Sequence, residues 1–260
     1  MRILLAVFVL FIAQASFAQK TWTLNEVGVG IGNQNDRILN MSMDWMRMYA
    51  RSDDAFQVQL DGYEYSSYND FMGTSLSLDL TFMKGEPTGK VTHELRIGAR
   101  LVTEREAMIE YYRVDEQELG SYRESFIFCL VDDEIAGDVS YLKRRNGEYF
   151  SFYTGIGGSV GATFSSKLLR IRNASFNPEE IALPENSSEE IENTTDTFSA
   201  KNALFYRVQI PIGIQFHLRK WAFGPEFRAG VGGHSVFGGK SYFIAPTTSF
   251  SMRLSYFPNR

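Results

Sequence analysis

The sequence predicts an all-β fold: an antiparallel, up-and-down transmembrane β-barrel. Three observations predict it. Several segments alternate apolar and polar residues with period 2, over runs longer than the five or six residues usual in soluble strands. The polar face of these segments is largely Gly, Ser and Thr with isolated charges of both signs. A soluble surface would carry mostly Lys and Glu there, so the apolar face is read as facing lipid and the polar face as filling a crowded interior. Finally, tight turns alternate along the chain with long polar connections, as in barrels with short turns at one end and long loops at the other.

Composition narrows the alternatives. With 44% apolar and 22% charged residues the chain is neither disordered nor a bundle of membrane helices, and 14% aromatics with 22 Gly against 7 Pro favour strand. A net charge of −5 argues against a nucleic-acid partner, which requires a basic surface. One cysteine excludes a disulfide framework and a cysteine-built zinc site.

The chain opens with Met1-Arg2, an apolar run from Ile3 to Ala13, and small residues at Ser16 and Ala18. The run is too short to span a bilayer and has the pattern of a cleaved signal peptide over 1–18. No cysteine stands at the cleavage position, so no lipoprotein anchor is expected. Residues 19–260 are then one exported barrel domain. Strands are expected near 21–32, 72–84, 91–114, 121–144, 148–165, 203–218, 221–232 and 241–257, eight in all. In 203–218, Leu204, Tyr206, Val208, Ile210, Ile212, Ile214 and Phe216 oppose Phe205, Arg207, Gln209, Pro211, Gly213 and Gln215. In 148–165, Phe150, Phe152, Ile156, Val160 and Phe164 oppose Ser151, Tyr153, Gly155, Gly157 and Ser159. The short turns are Gly85–Gly89, Arg144–Gly147 and Arg219-Lys220, where Pro-Thr-Gly and Asn-Gly supply turn chemistry.

Three long connections belong to the opposite end. The loop 33–71 holds an amphipathic stretch from Ile38 to Tyr49, read as a short helix. It also holds Phe56, Val58 and Leu60 in alternation, which leaves a ten-strand barrel as the alternative count. The arms around 104–131 exceed the length needed to cross a membrane and are read as a projecting β-ribbon. The segment 166–202 is rich in Glu, Asn, Ser and Thr and is read as a mobile external loop, with Asn173, Asn186 and Asn193 as loop residues.

Strand parity sends Asp79, Glu94, Arg96, Arg100, Asp138, Arg207, Glu226, Arg228 and Arg253 into the lumen. An eight-stranded barrel has room for side chains only, and unpaired buried charges are costly. These residues are therefore assigned as a paired, structural ionic core; a narrow ion path is the competing reading. No catalytic, cofactor-binding or metal-ligating set is assigned, and no cofactor is expected. His93, His217 and His234 lack a metal-binding spacing. Adjacent His234 and Ser235 would point to opposite faces of a strand, so they are read as loop residues and not as a base and nucleophile. The strings Gly28-Val29-Gly30-Ile31-Gly32 and Gly155-Ile156-Gly157-Gly158 precede no helix signal and are read as narrow-lumen positions. Cys129 is read as a packed thiol.

With its signal peptide, alternating strands and the ending Phe250-Ser251-Met252-Arg253-Leu254-Ser255-Tyr256-Phe257, the chain resembles the small outer-membrane β-barrel family of OmpA-type domains, OmpX and PorT-like barrels. In that family the last strand ends in an aromatic recognised by the barrel-assembly machinery; here Pro258-Asn259-Arg260 follow Phe257. The resemblance implies an integral protein of the bacterial outer membrane, with outer-membrane lipid around it. The expected function is non-enzymatic, structural or partner-binding through the external loops, as an accessory of an envelope or secretion complex. Two alternatives stay open. One is a barrel enzyme acting on lipid A or peptides at the external rim; the other is a soluble, lipocalin-like exported ligand binder.

Overall fold

A computed structural model describes residues 22–39, 41–84, 90–117, 120–178, 189–238 and 242–258. Residues 1–18, read above as a signal peptide, and Gly85–Gly89, read as a turn, lie outside these residues. The described chain runs β1 (Trp22–Arg37), α1 (Met43–Tyr49), a 3-10 turn (Asp53–Phe56), β2 (Glu64–Lys84), β3 (Val91–Gln117) and β4 (Gly120–Asn146). It continues through β5 (Phe150–Pro178), β6 (Glu189–Ser199), β7 (Ala203–Leu218), β8 (Trp221–Val236) and β9 (Tyr242–Tyr256). All pairings are antiparallel, and β1 pairs with β9, from Val27 opposite Tyr256 to Asp36 opposite Thr247. The ring is therefore β1-β2-β3-β4-β5-β7-β8-β9, eight strands closed on themselves. Closure leaves the ring no free edge within a bilayer, where an unpaired backbone group costs several kcal/mol.

The face assignment follows parity. Val29, Ile31, Leu78, Val139, Ile156, Val160, Val208, Ile210, Phe223 and Leu254 are exposed on the outside, and charged residues at the alternate positions, such as Glu26, Asp79, Arg207, Glu226 and Arg253, are buried inside. A soluble barrel has the reverse arrangement. This apolar belt ends toward the short turns in exposed Tyr141, Tyr149, Phe150 and Trp221, the aromatic boundary typical of a membrane-water interface. No helix among the described residues is long and apolar enough to cross a membrane. With the exterior apolar and the lumen full of ions, the chain does not fit a lipocalin-like ligand cavity.

The wall is tall on one side only. Strands β3 and β4 have 27 residues each, against the 9–11 or so needed to cross a bilayer with tilt. Their outer halves pair with each other, and they are flanked by Glu64–Tyr68 of β2 beside Met108–Tyr112 of β3 and by the outer part of β5 beside β4, with Lys167–Phe176 of β5 in turn pairing Glu189–Ser199 of β6. The result is a five-stranded sheet raised beyond the belt. Here two expectations fail. The described residues of 166–202 are largely strand: β5 continues to Pro178 and β6 returns beside it from Glu189, so Asn173 and Asn193 lie opposite each other in a sheet, while Asn186 lies outside the described residues. The Thr-rich run, Thr194-Thr195-Asp196-Thr197, suits a strand as well as a loop. Phe56, Val58 and Leu60 add no strand to the ring; Phe56 ends the 3-10 turn and the other two pack against the core beneath it, which removes the ten-strand count.

Candidate functional site

The lumen is built in layers. Nearest the turns, Arg144 donates to Glu94 at 2.9 Å and also to Glu26 and Gln215; Ser255 donates to Glu26 at 2.6 Å. Above it, Arg253 grips Asp79 with two nitrogens at 2.9 and 2.7 Å. Glu226 there accepts from Arg96, from Arg228 at 2.7 Å and from the Tyr153 hydroxyl at 2.6 Å. The next layer joins Arg100 to Gln34 at 2.7 Å and to Asp138 at 3.3 Å, with Arg228 reaching the same Asp138 at 3.1 Å. All nine charged residues assigned to the lumen by parity lie within these layers or, for Arg207, in the layer above. Every basic residue among them is arginine, whose planar fork serves two or three carboxylate or amide oxygens at once.

Inward-facing glycine makes room for these groups. A Cβ at Gly28 would strike the Arg253–Asp79 pair, and one at Gly213 would overlap the Tyr153 ring. Gly28, Gly30 and Gly157 of the glycine strings are thus packing positions in a narrow lumen, whereas Gly158 is exposed on the outside.

At the outer mouth, Arg207 bridges Asp36 (3.0 and 2.6 Å) and Glu134 (2.6 and 2.7 Å). Arg105 reaches Asp132 at 2.9 and 3.2 Å, Asp36 at 3.2 Å and Glu134 at 2.6 Å. Its guanidinium carbon lies 4.2 Å from the ring centre of Phe71 and 3.8 Å from that of Phe205. Arg105 escaped parity because β3 is irregular between Val102 and Arg105. Glu104 there takes a positive φ of 50°, and its N–H donates to Asp133 at 2.9 Å. Two residues of β3 then oppose one of β4, so odd positions turn inward beyond that point. Glu26, Asp36, Asp132, Glu134 and Arg144 do keep the inward parity of their strands; Asp36 and Arg144 were hidden in segments read as loop and turn, whereas Glu26, Asp132 and Glu134 lay in segments read as strand and were open to the same parity argument.

A cap closes the mouth. Ser42 caps α1, accepting from the Trp45 N–H at 3.4 Å, and Asp44 in the first turn and Arg47 in the last suit the helix dipole. The predicted helix from Ile38 is thus confined to seven residues. Trp45, Met46 and Tyr49 are buried with Ile38, Met41, Phe56, Phe71, Phe128 and Phe205 in an apolar core that roofs the ionic layers. The helix end is clipped to the break between β6 and β7. The Lys201 N–H donates to the Tyr49 carbonyl at 2.6 Å, Ala50 pairs with Ala200, and the Arg51 side chain reaches the Ala200 carbonyl at 3.0 Å.

His234 is a member of this packing and not a loop residue. It is only 3% exposed, with its ring 6.0 Å from Trp45, 6.0 Å from Tyr49 and 5.4 Å from Phe205. His217 stands 5.6 Å from Phe257, and exposed His93 meets the Tyr141 hydroxyl at 2.9 Å. No group of His, Cys, Asp and Glu suited to a metal ion occurs among the described residues. Cys129, on the outward face of the raised sheet, is buried, and that burial pushes its thiol up to about 12.

The raised sheet carries its own polar cluster. Tyr63 donates to Glu124 at 2.5 Å, and Arg172 and Arg113 reach the same carboxylate at 2.8 and 3.3 Å. Burial together with the Glu124 charge pushes the Tyr63 hydroxyl up to about 12. Partial burial of Glu124 works against its ionised form, but these donors and cations outweigh it and hold the carboxyl below its usual range. Around the sheet and cap, exposed acids such as Asp44, Asp53, Asp54, Asp61, Glu64 and Asp70 outnumber the bases.

No protein-family description matches the sequence, and no curated protein does. Solved structures do. The chain is similar to Ail, the attachment invasion locus protein of Yersinia pestis, seen with the heparin analogue sucrose octasulfate, at 12% identity over 90% of this chain and 99% of that one, TM-score 0.28. It is similar to Neisserial surface protein A at 8% identity over 91% and 99%, TM-score 0.28. The translocator domain of the autotransporter NalP from Neisseria meningitidis is a further match, at 8% identity over 96% of each chain, TM-score 0.20. The first two are small outer-membrane barrels; by its own ring and outward apolar belt, this chain is a small barrel of that type.

Proposed function

We propose that this protein is a non-enzymatic barrel of the bacterial outer membrane. It would bind a partner at the cell surface through its raised sheet, as an accessory of an envelope or secretion complex. One observation carries the proposal: the chain builds a five-stranded sheet beyond the belt that ring closure does not require, and backs it with an apolar core. That sheet ends in β6, which pairs with β5 alone. A strand edge offers unpaired backbone donors and acceptors to which an extended segment can add. The β6 sequence, Glu-Glu-Ile-Glu-Asn-Thr-Thr-Asp-Thr-Phe-Ser, is acidic; like charge discourages pairing with a second copy and favours a cationic segment. The packing of His234 beneath Trp45 and Tyr49 supports a binding role over catalysis at the rim.

The test places a photo-crosslinking residue at Thr195 or Thr197, which are exposed on β6, and at Ile156 in the belt, in intact cells. A discrete protein adduct from β6 that weakens with Asp196→Lys, and none from Ile156, is expected. A barrel that shows heat-dependent gel mobility in the outer-membrane fraction yet gives no adduct from β6 would overturn partner binding there. Recovery as a soluble protein would overturn the membrane assignment itself.

A further inference from the structure

The turn end of the barrel has a charge pattern opposite to that of the loop end. Beyond the aromatic boundary stand Lys84, Lys90, Lys143, Arg145, Arg219 and Lys220, all exposed, against Glu148 alone among the described residues. No carboxylate of the described residues lies within ion-pair distance of any of the six. The surface around them is apolar and aromatic: Tyr149 is 71% exposed, Leu218 67% and Trp221 49%, with the Trp221 ring 5.0 Å from that of Tyr256. Between the turns lies an open cleft of about 930 Å³ lined by Gly147, Glu148, Tyr149, His217, Arg219 and Lys220.

Backbone conformation adds a second observation. The two-residue turn Arg219-Lys220 joins β7 to β8, and Arg219 sits at φ 56°. In hairpin turns with positive φ at the first central residue, glycine is the residue that fits without strain. A long cation stands there instead, at a conformational cost.

We propose that this rim is a binding surface for anionic phospholipid headgroups, phosphatidylglycerol or cardiolipin, in the leaflet around the short turns. The inference rests on the membrane reading above. Aromatic rings fix the depth at which the barrel sits, and the six cations then stand at headgroup level, where their charge is complementary to phosphate. The cleft between the two turns gives one headgroup a place against Arg219 and Lys220, with its acyl chains along exposed Leu218 and Phe216. The acidic loop end offers no such complementarity, so the preference belongs to one leaflet.

The test reconstitutes the full chain in phosphatidylcholine vesicles and compares spin-labelled phosphatidylglycerol with spin-labelled phosphatidylcholine in the motionally restricted shell. A preference of about fivefold for the anionic lipid is expected, since a basic residue near such a surface contributes ~1 kcal/mol. It should fall toward one in 1 M NaCl, where the Debye length is only ~3 Å. Inorganic phosphate at millimolar level should not compete; if it abolishes the preference, the site is one for the free anion and the lipid proposal fails. The variant R219G/K220N removes two charges while supplying residues that favour the turn. It is expected to keep heat-dependent mobility and lose a large part of the preference, and replacing all six cations by Gln should abolish it. A wild-type ratio near one, or a ratio unchanged in both variants, would overturn the proposal. Failure of the wild type to insert at all would count against the membrane reading instead.

Discussion

Replacing Arg105 by Met tests whether the mouth of the barrel is a single interlocked unit. The guanidinium is fully buried, reaches Asp36, Asp132 and Glu134, and lies between the rings of Phe71 and Phe205. Methionine keeps much of the apolar stem but leaves three carboxylates facing Arg207. Removing one partner of a buried ion pair costs about 3–5 kcal/mol, and the lost ring contacts add up to about 2 kcal/mol when desolvated. A loss near 4 kcal/mol is expected, a large share of an ordinary domain stability of about 5–15 kcal/mol. Urea unfolding in lipid vesicles measures it. Variants that keep only Trp45, in the cap, or only Trp221, at the aromatic boundary (with Trp22 and the other tryptophan replaced by Phe), give separate fluorescence signals, and the cap signal should change first. Asp132 pairs only with Arg105 among the described ion pairs, so adding Asp132→Asn should recover roughly 2 kcal/mol by removing the stranded charge. A loss below about 1 kcal/mol, or strict additivity of the two substitutions, would refute the view that the mouth is held by this arrangement.

Two further outcomes follow from the packing. Gly213→Ala should prevent formation of the fast-migrating, unheated gel band, because the new methyl overlaps the Tyr153 ring; Tyr153→Leu in the same chain should restore it, and a normal band from Gly213→Ala alone would contradict the narrow lumen. The Cys129 thiol should resist maleimide at pH 8 in the folded protein and react readily after unfolding. Its folded pKa is raised from 9.0 to about 12, so its contribution to stability is fully present below pH 9 and is lost as pH rises toward 12. Equal labelling rates before and after unfolding would refute its burial.

Much of the ring was legible because a strand exposes its surroundings every second residue. Leu204, Tyr206 and Val208 against Phe205, Arg207 and Gln209 determine which side meets lipid, and the same parity reaches Arg96, Arg100, Glu226 and Arg253. It fails where a bulge shifts the count. Past Glu104 the inward positions of β3 become odd, and past Phe164 those of β5 become even, so that Leu168 faces the core opposite Phe198. No composition signal marks either shift, since Glu104 takes a conformation more often found at Gly or Asn. The raised strand β6 was obscured by its acids, which read as loop although an edge strand is well served by charge. His234 looked like loop because its burial comes from Trp45 and Tyr49, residues far away in sequence.

The strands that close the ring are the first and the last, and the cap inserted between β1 and β2 is fastened to Ala200 and Lys201, near the other end of the chain. Both closures therefore wait for residues made late. A nascent or truncated chain keeps two open edges and an unroofed mouth however much of it has been synthesised. Until β9 reaches β1, the strands of such a chain present unpaired backbone edges.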